Sequence, residues 1–273
     1  MEGIIHADLV NTVSPTYAQE IMTTEFGAQL EPILQSLSGK ISGIINGIDT
    51  KYWDPQTDPN ITANYSIRNW QTGKQQNKLS LQKLLKLPES DNTVLFSYIG
   101  RLDPGQKGVD LIIEALYSQQ IKTPSYQFVF LGQGESELEN RLRHLSNEFP
   151  NICTLIEFNE TLAHHIYAAS DFLVIPSKFE PCGLTQLIAM RYGAIPIIRK
   201  TGGLADTVKE EYTGFVFSEY TYQALIETIN KAITWFQDFH LRDQIIKNCM
   251  EQDFSWTTSA LEYEKLYQKL IDN

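Results

Sequence analysis

Between residues 93 and 217 the chain alternates short apolar runs with longer segments of helical periodicity. The runs are 93–100 (TVLFSYIG), 126–131 (YQFVFL), 153–158 (CTLIEF), 171–175 (DFLVI), 195–198 (IPII) and 214–217 (GFVF). They are rich in β-branched and aromatic residues and lack an apolar/polar alternation, which marks strands buried on both faces. The segments between them, 109–120, 135–148, 160–170 and 183–192, read as helices. Such alternation specifies an α/β fold: a Rossmann-like parallel sheet with helices on both faces, joined by right-handed crossovers. Ligands of such sheets bind at the carboxyl edge of the strands. Beyond residue 217 the chain reads as helical, at 222–236, 241–249 and 257–271, and a further helix is expected at 78–87, after a polar connector over 54–77.

Charge and composition narrow the ligands. With 22 basic against 33 acidic residues the net charge is −11, which disfavours nucleic acid and other polyanions but not a neutral polymer. At 42% hydrophobic content the 273 residues hold a substantial core. Cys153, Cys182 and Cys249 are far apart and show no metal-ligand spacing, and a reducing compartment is expected. No apolar run reaches the ~20 residues of a membrane helix. A cytoplasmic location is expected, unless a targeting region lies upstream.

Chemistry concentrates in residues 178–208 (KFEPCGLTQLIAMRYGAIPIIRKTGGLADTV). A helix opening near Gly183 presents unpaired N–H groups and the positive end of its dipole, a setting for an anion. Gly183 lets the anion approach the backbone, and the Thr185 hydroxyl adds a donor. Glu180, just ahead, is placed to take hydroxyl hydrogen bonds. On the loop after the first strand, Arg101 offers a planar fork for a diphosphate and Lys107 a compact charge. Phe158 ends a strand and can stack on a base. Gly202-Gly203 reads as a tight turn, Trp53 as a connector residue packed on the core, and His164 and His165 as structural residues with one facing the cleft.

The segment FEPCGLTQ, AMRYG and TGGLADTV closely resembles, in order and spacing, the motifs of bacterial glycogen synthases and plant starch synthases. The segments ADLVNTVSPTYAQEI and FSW-x-x-x-A-x-x-Y-x-x-LY match as well. This resemblance implies the C-terminal lobe of a two-lobed glycosyltransferase plus a remnant of the N-terminal lobe. Residues 1–50 would be the last strand and helix of the N-terminal Rossmann domain, 51–90 a connector with a first helix, 91–252 the nucleotide-sugar domain and 253–273 a crossover helix.

The implied reaction moves glucose from ADP-glucose to the non-reducing end of an α-1,4-glucan with retention. Arg101, Lys107 and Glu180 would be catalytic; Phe158, Cys182, Gly183, Leu184 and Thr185 would hold substrate; no metal and no cofactor would take part. The expected partners are ADP-glucose, the glucan acceptor and a separate N-terminal lobe, with neither nucleic acid nor membrane. The chain alone is expected to be inactive without that lobe. The alternatives are a nucleotide-sugar-binding module or subunit without turnover, and a related glycosyltransferase with another donor. Two positions depart from the family pattern. Five residues (LDPGQ) separate Arg101 from Lys107 where four are usual, and Gln29 stands where a second glycine is usual.

Overall fold

Strand β3 (Val94–Ile99) lies at the centre of the molecule, and Leu95 and Phe96 on it are wholly buried. The computed structural model describes residues 1–121 and 126–272. Around β3 stand β4 (Tyr126–Leu131), β5 (Ile152–Leu155), β6 (Phe172–Ile175), β7 (Ile195–Arg199) and β8 (Phe215–Phe217), all parallel, in the order β5-β4-β3-β6-β7-β8. Phe96 is in register with Phe128 on one neighbour and Phe172 on the other, their rings stacked at 6.0 and 5.2 Å between centroids. A layer of rings thus fixes register across three strands, because a one-residue slip would turn each ring to the opposite face. The chain runs outward from β3 to β5 and then returns to β6, so strand order reverses between β3 and β6. A crevice opens at the carboxyl end of such a switch point. The loops after β3 and β6 are those carrying Arg101, Lys107 and Glu180.

Helices α5 (Val109–Tyr117), α6 (Ser136–Glu148), α7 (Glu160–Ala169), α8 (Thr185–Arg191), α10 (Tyr222–Gln237) and α11 (Phe239–Met250) cover the sheet. Near the N-terminus, α1 (Glu2–His6) precedes a two-stranded parallel sheet of β1 (Val10–Thr12) and β2 (Ile41–Gly43), with α2 (Pro15–Glu20) and α3 (Glu31–Ser36) between them. Ser14 caps α2 by accepting from Tyr17 N–H, as Ser-Pro predicts. The Ser14 hydroxyl also donates to Pro181 O at 2.6 Å, and Thr16 donates to Asp206 at 2.6 Å, which ties α2 to the 178–208 segment.

Several expected bounds shift. The helix expected at 78–87 is α4 (Trp70–Leu84), and the connector is correspondingly shorter. Its buried face carries Lys74, Asn77, Lys78 and Gln82, so the apolar periodicity that announces a helix is missing. The Gly202-Gly203 turn instead opens a short helix, α9 (Gly202–Thr207). Helix α8 begins at Thr185 rather than Gly183, and β5 stops at Leu155, three residues before Phe158. The C-terminal helix α12 (Trp256–Ile271) matches expectation, with Asn273 outside the described residues. Its Ser259 donates to Ile45 O at 2.7 Å, while Trp256, Leu261, Tyr267, Leu270 and Ile271 lie exposed. Among the described residues no helix is long and apolar enough to cross a membrane.

Candidate active site

Strand β3 delivers Arg101 to the crevice, where the Tyr98 hydroxyl donates to the Arg101 carbonyl at 2.6 Å and pins the start of the loop. Asp103 then folds the loop on itself, its carboxylate accepting from Gly105 N–H at 2.8 Å and its carbonyl from Lys107 N–H at 3.0 Å. The additional residue between Arg101 and Lys107 is absorbed in this turn. Lys107 reaches across to the loop after β6, where its Nζ lies 2.6 Å from Glu180 Oε2. Lys178 N–H donates to Gln106 O at 2.7 Å, sewing the loop after β3 to the loop after β6.

Glu180 is almost wholly buried, and its Oε2 also accepts from the Ser177 hydroxyl at 3.1 Å. Arg101 is held differently. Its guanidinium, two-thirds exposed at 67%, donates to Gln106 at 2.7 Å and lies 3.7 Å from Asp103. The structure therefore pairs Lys107 with Glu180 directly and links Arg101 to them through the intervening loop.

The turn into α8 depends on Gly183, whose φ of +73° is costly for any residue with a Cβ. Gln186, buried below, donates from Nε2 to the carbonyls of Cys182 and Gly183 at 3.1 and 2.9 Å and so fixes the turn. Leu184 is the N-cap residue and offers no side-chain cap, and Thr185 is the first helical residue. The glycine pair of α9 serves both turning and approach: Gly202 holds left-handed backbone at φ +42°, a Cβ on Gly203 would lie 2.0 Å from Cys182 O, and Gly203 N–H donates to Glu180 O at 3.0 Å. Cys182 is buried, and burial pushes its thiol above the usual range, so it is held as a neutral thiol.

Beside this loop lies a cleft of about 500 Å³, lined by Arg101, Gly132, Gln133, Phe158, Tyr167 and Trp53 among others. Phe158 stands at its rim on the loop after β5, 84% exposed, rather than at a strand end. Trp53 is more than a packed connector residue, since it forms a wall of the cleft. Its ring stacks on His164 at 4.1 Å, and His164 Nδ1 lies 2.7 Å from Asp58 Oδ2, which also accepts from the Tyr192 hydroxyl. His164 is completely buried beneath Trp53, and half-buried His165 has its imidazole pKa lowered by desolvation. Neither histidine lines the cleft. Tyr98, Ser177, Gln186, and the Asp58 and Tyr192 that support His164, are site components that sequence reading did not single out individually.

Among the described residues no group of three or more His, Cys, Asp or Glu side chains is arranged to hold a metal ion.

The chain is similar to known proteins over almost its whole length. Residues 81–251 match the family of glycosyl transferases group 1, and residues 1–36 match the starch synthase catalytic domain. Glycogen synthase of Thermodesulfovibrio yellowstonii is 45% identical over 270 residues, covering 98% of this chain and 54% of that protein. Glycogen synthase of Lactococcus lactis is 44% identical over 276 residues, covering 98% and 57%. The catalytic domain of starch synthase IV from Arabidopsis thaliana, solved bound to ADP and acarbose, superposes with a TM-score of 0.89 at 40% identity, covering 99% of this chain and 57% of that one. The chain thus spans a little over half the length of the relatives it matches. It belongs to the group 1 glycosyl transferases, where its similarity is to the glycogen and starch synthases.

Proposed function

We propose that this chain carries the donor half of a retaining glucan synthase that moves glucose from ADP-glucose to the non-reducing end of an α-1,4-glucan. The observation that carries the reading is the Lys107–Glu180 pair at the switch point of the sheet, beside a cleft flanked by Arg101 and Phe158. The adenine would stack on Phe158 at the rim, and the diphosphate would lie toward Arg101, Lys107 and the turn at Gly183, Leu184 and Thr185. Glu180 would take hydroxyl hydrogen bonds from the glucose, with Cys182 packed beneath it.

The step breaks the bond between the anomeric carbon and the diphosphate oxygen and forms one to the acceptor hydroxyl, whose proton leaves with ADP. The demanding part is the negative charge that grows on the departing diphosphate, and fixed cations in a partly dry site stabilise it. Lys107 is paired with Glu180 at 2.6 Å. A diphosphate would draw the ammonium across and free the carboxylate for the sugar, so that donor binding arms both groups at once. On this reading the cations supply the stabilisation, and neither a metal nor a cofactor takes part. The relatives are about twice as long, so the acceptor side calls for a second lobe, in the same chain or a separate one. The location that goes with this chemistry is the cytoplasm, or a plastid stroma.

The test is calorimetric titration of the 273-residue chain with ADP, run beside transfer of labelled glucose from ADP-glucose to glycogen. ADP binding with little transfer is expected. No ADP binding would remove the reading, and robust transfer would show that this chain builds a complete site without a second lobe. ADP binding that persists without transfer after the second lobe of a relative is added would favour a binding module.

A further inference from the structure

A second, smaller cleft of about 260 Å³ opens beside Gly105, on the loop that carries Lys107. Three rings line it: Tyr17 on α2, Phe26 on the loop after α2, and Phe179, the residue before Glu180. Phe26 and Phe179 lie 6.3 Å apart between centroids, tilted by 52°, so they form two walls rather than a closed stack. Glu25 and Lys178 complete the lining with one acceptor and one donor group.

Both departures from the family pattern converge here. Gly105, in the span lengthened to five residues, lines the cleft on one side, and Ala28, next to Gln29, lines it on the other. Ala28 and Gln29 both hold left-handed backbone, at φ +49° and +71°, which sets the shape of that wall without a glycine at position 29.

We propose that this cleft binds one glucosyl unit of the α-glucan acceptor, an inference that rests on the glucan-synthase reading given above. The chemistry selects the ligand. Aromatic faces carry negative potential and pack against the C–H face of a pyranose, while a carboxylate and an ammonium divide the hydroxyls between them. Opposite charges on facing groups suit a neutral ligand better than a nucleotide or a phosphate. The volume falls below the roughly 300–1,000 Å³ of a pocket that encloses a whole small molecule, which fits one ring of a chain that continues into solvent. The position supplies the function. Phe179 is bonded to Glu180, and the turn at Gly105 leads to Lys107, so a sugar held here keeps a glucan chain beside the groups assigned to the donor.

The test is titration of the 273-residue chain with maltoheptaose, followed by NMR or calorimetry, with a parallel titration by ADP. Maltoheptaose affinity is expected to fall at least fivefold in Phe26→Ala and about threefold in the double variant Glu25→Gln, Lys178→Met, with ADP affinity unchanged in both. The double variant changes only exposed side chains and decides the matter if Phe26→Ala fails to fold. Maltoheptaose binding that is absent, or equal in all folded variants, would overturn the cleft assignment even where ADP binds. Loss of ADP binding with Phe26-dependent maltoheptaose binding intact would instead count against the donor reading and leave the cleft standing.

Discussion

Two lysine–carboxylate pairs sit at opposite ends of the same strand, and they do different work. At the amino end of β6, Lys78 pairs with Asp171, with side chains only 6% and 8% exposed. Asp171 also accepts from Leu95 N–H at 2.8 Å, and Lys78 donates to Thr93 O at 3.1 Å. At the carboxyl end, Lys107 pairs with Glu180 at exposures of 21% and 9%, and the carboxylate has one further donor, Ser177. The chemical groups are the same in kind. The difference lies in what surrounds them: the first pair is saturated with backbone partners and closed to water, while the second is open on the lysine side. A closed pair holds elements together, whereas an open one can exchange its partner for a ligand.

The largest effect expected from this contrast is on folding. Lys78→Met leaves Asp171 buried without its counter-charge and should cost about 3–5 kcal/mol in urea unfolding. ADP affinity should remain normal wherever the variant is folded. Lys107→Met should do the reverse, lowering ADP affinity at least tenfold, about 1.4 kcal/mol, while costing only about 1–2 kcal/mol of stability. If calorimetry and unfolding showed equal stability losses for the two variants, the contrast would collapse. Glu180→Gln sharpens it further. This change releases Lys107, so ADP should bind at least as well as to the parent while glucose transfer by the two-lobed enzyme is lost.

A third lysine tests how dry the amino end is. Lys74 on α4 donates to the carbonyls of Ala168 and Tyr192, and burial draws its ammonium down to about 7. The unfolded chain keeps this lysine protonated up to about pH 10, so between pH 7 and 8.5 it binds more protons than the folded one. Stability should therefore rise with pH in that window, by up to about 1.4 kcal/mol per unit. Lys74→Met should flatten the rise, as read from urea midpoints at pH 7.0 and 8.5. A slope unchanged by that substitution would place the lysine in contact with water.

The smallest effect concerns the loop beside the second cleft. Gln29→Gly relieves a left-handed residue and should stabilise the chain by about 1 kcal/mol or less, visible as a small gain in Tm. An equal or lower Tm would mean that the glutamine side chain compensates for its backbone.

Much of the sheet was legible because its strands are buried on both faces. Continuous runs such as YQFVFL coincide with β4, and the motifs resembling those of glycogen synthases lie on the loop after β6 and the elements that follow it. Helix α4 was legible only in its second half, because the face it buries is polar and owes its stability to distant carbonyls and to Asp171. The TGG segment reads as a turn, and Gly202 does hold left-handed backbone, but no local pattern announces the close approach of backbone to backbone that sets Gly203 against Cys182. Phe158 was identified as a candidate base platform, yet its place past the end of β5 depends on where strand pairing stops.

The sequence alone determined the parallel α/β architecture and the identity of the charged groups at the carboxyl edge, since both follow from local periodicity and from residues close together in the chain. Tertiary structure decided the pairings. That Lys107 reaches Glu180 across an additional residue, that Trp53 becomes a wall supported by His164 and Asp58, and that Gly105 and Ala28 face one cleft all involve residues far apart in sequence. Their meeting is set by strand order and loop packing, and no local pattern carries that information.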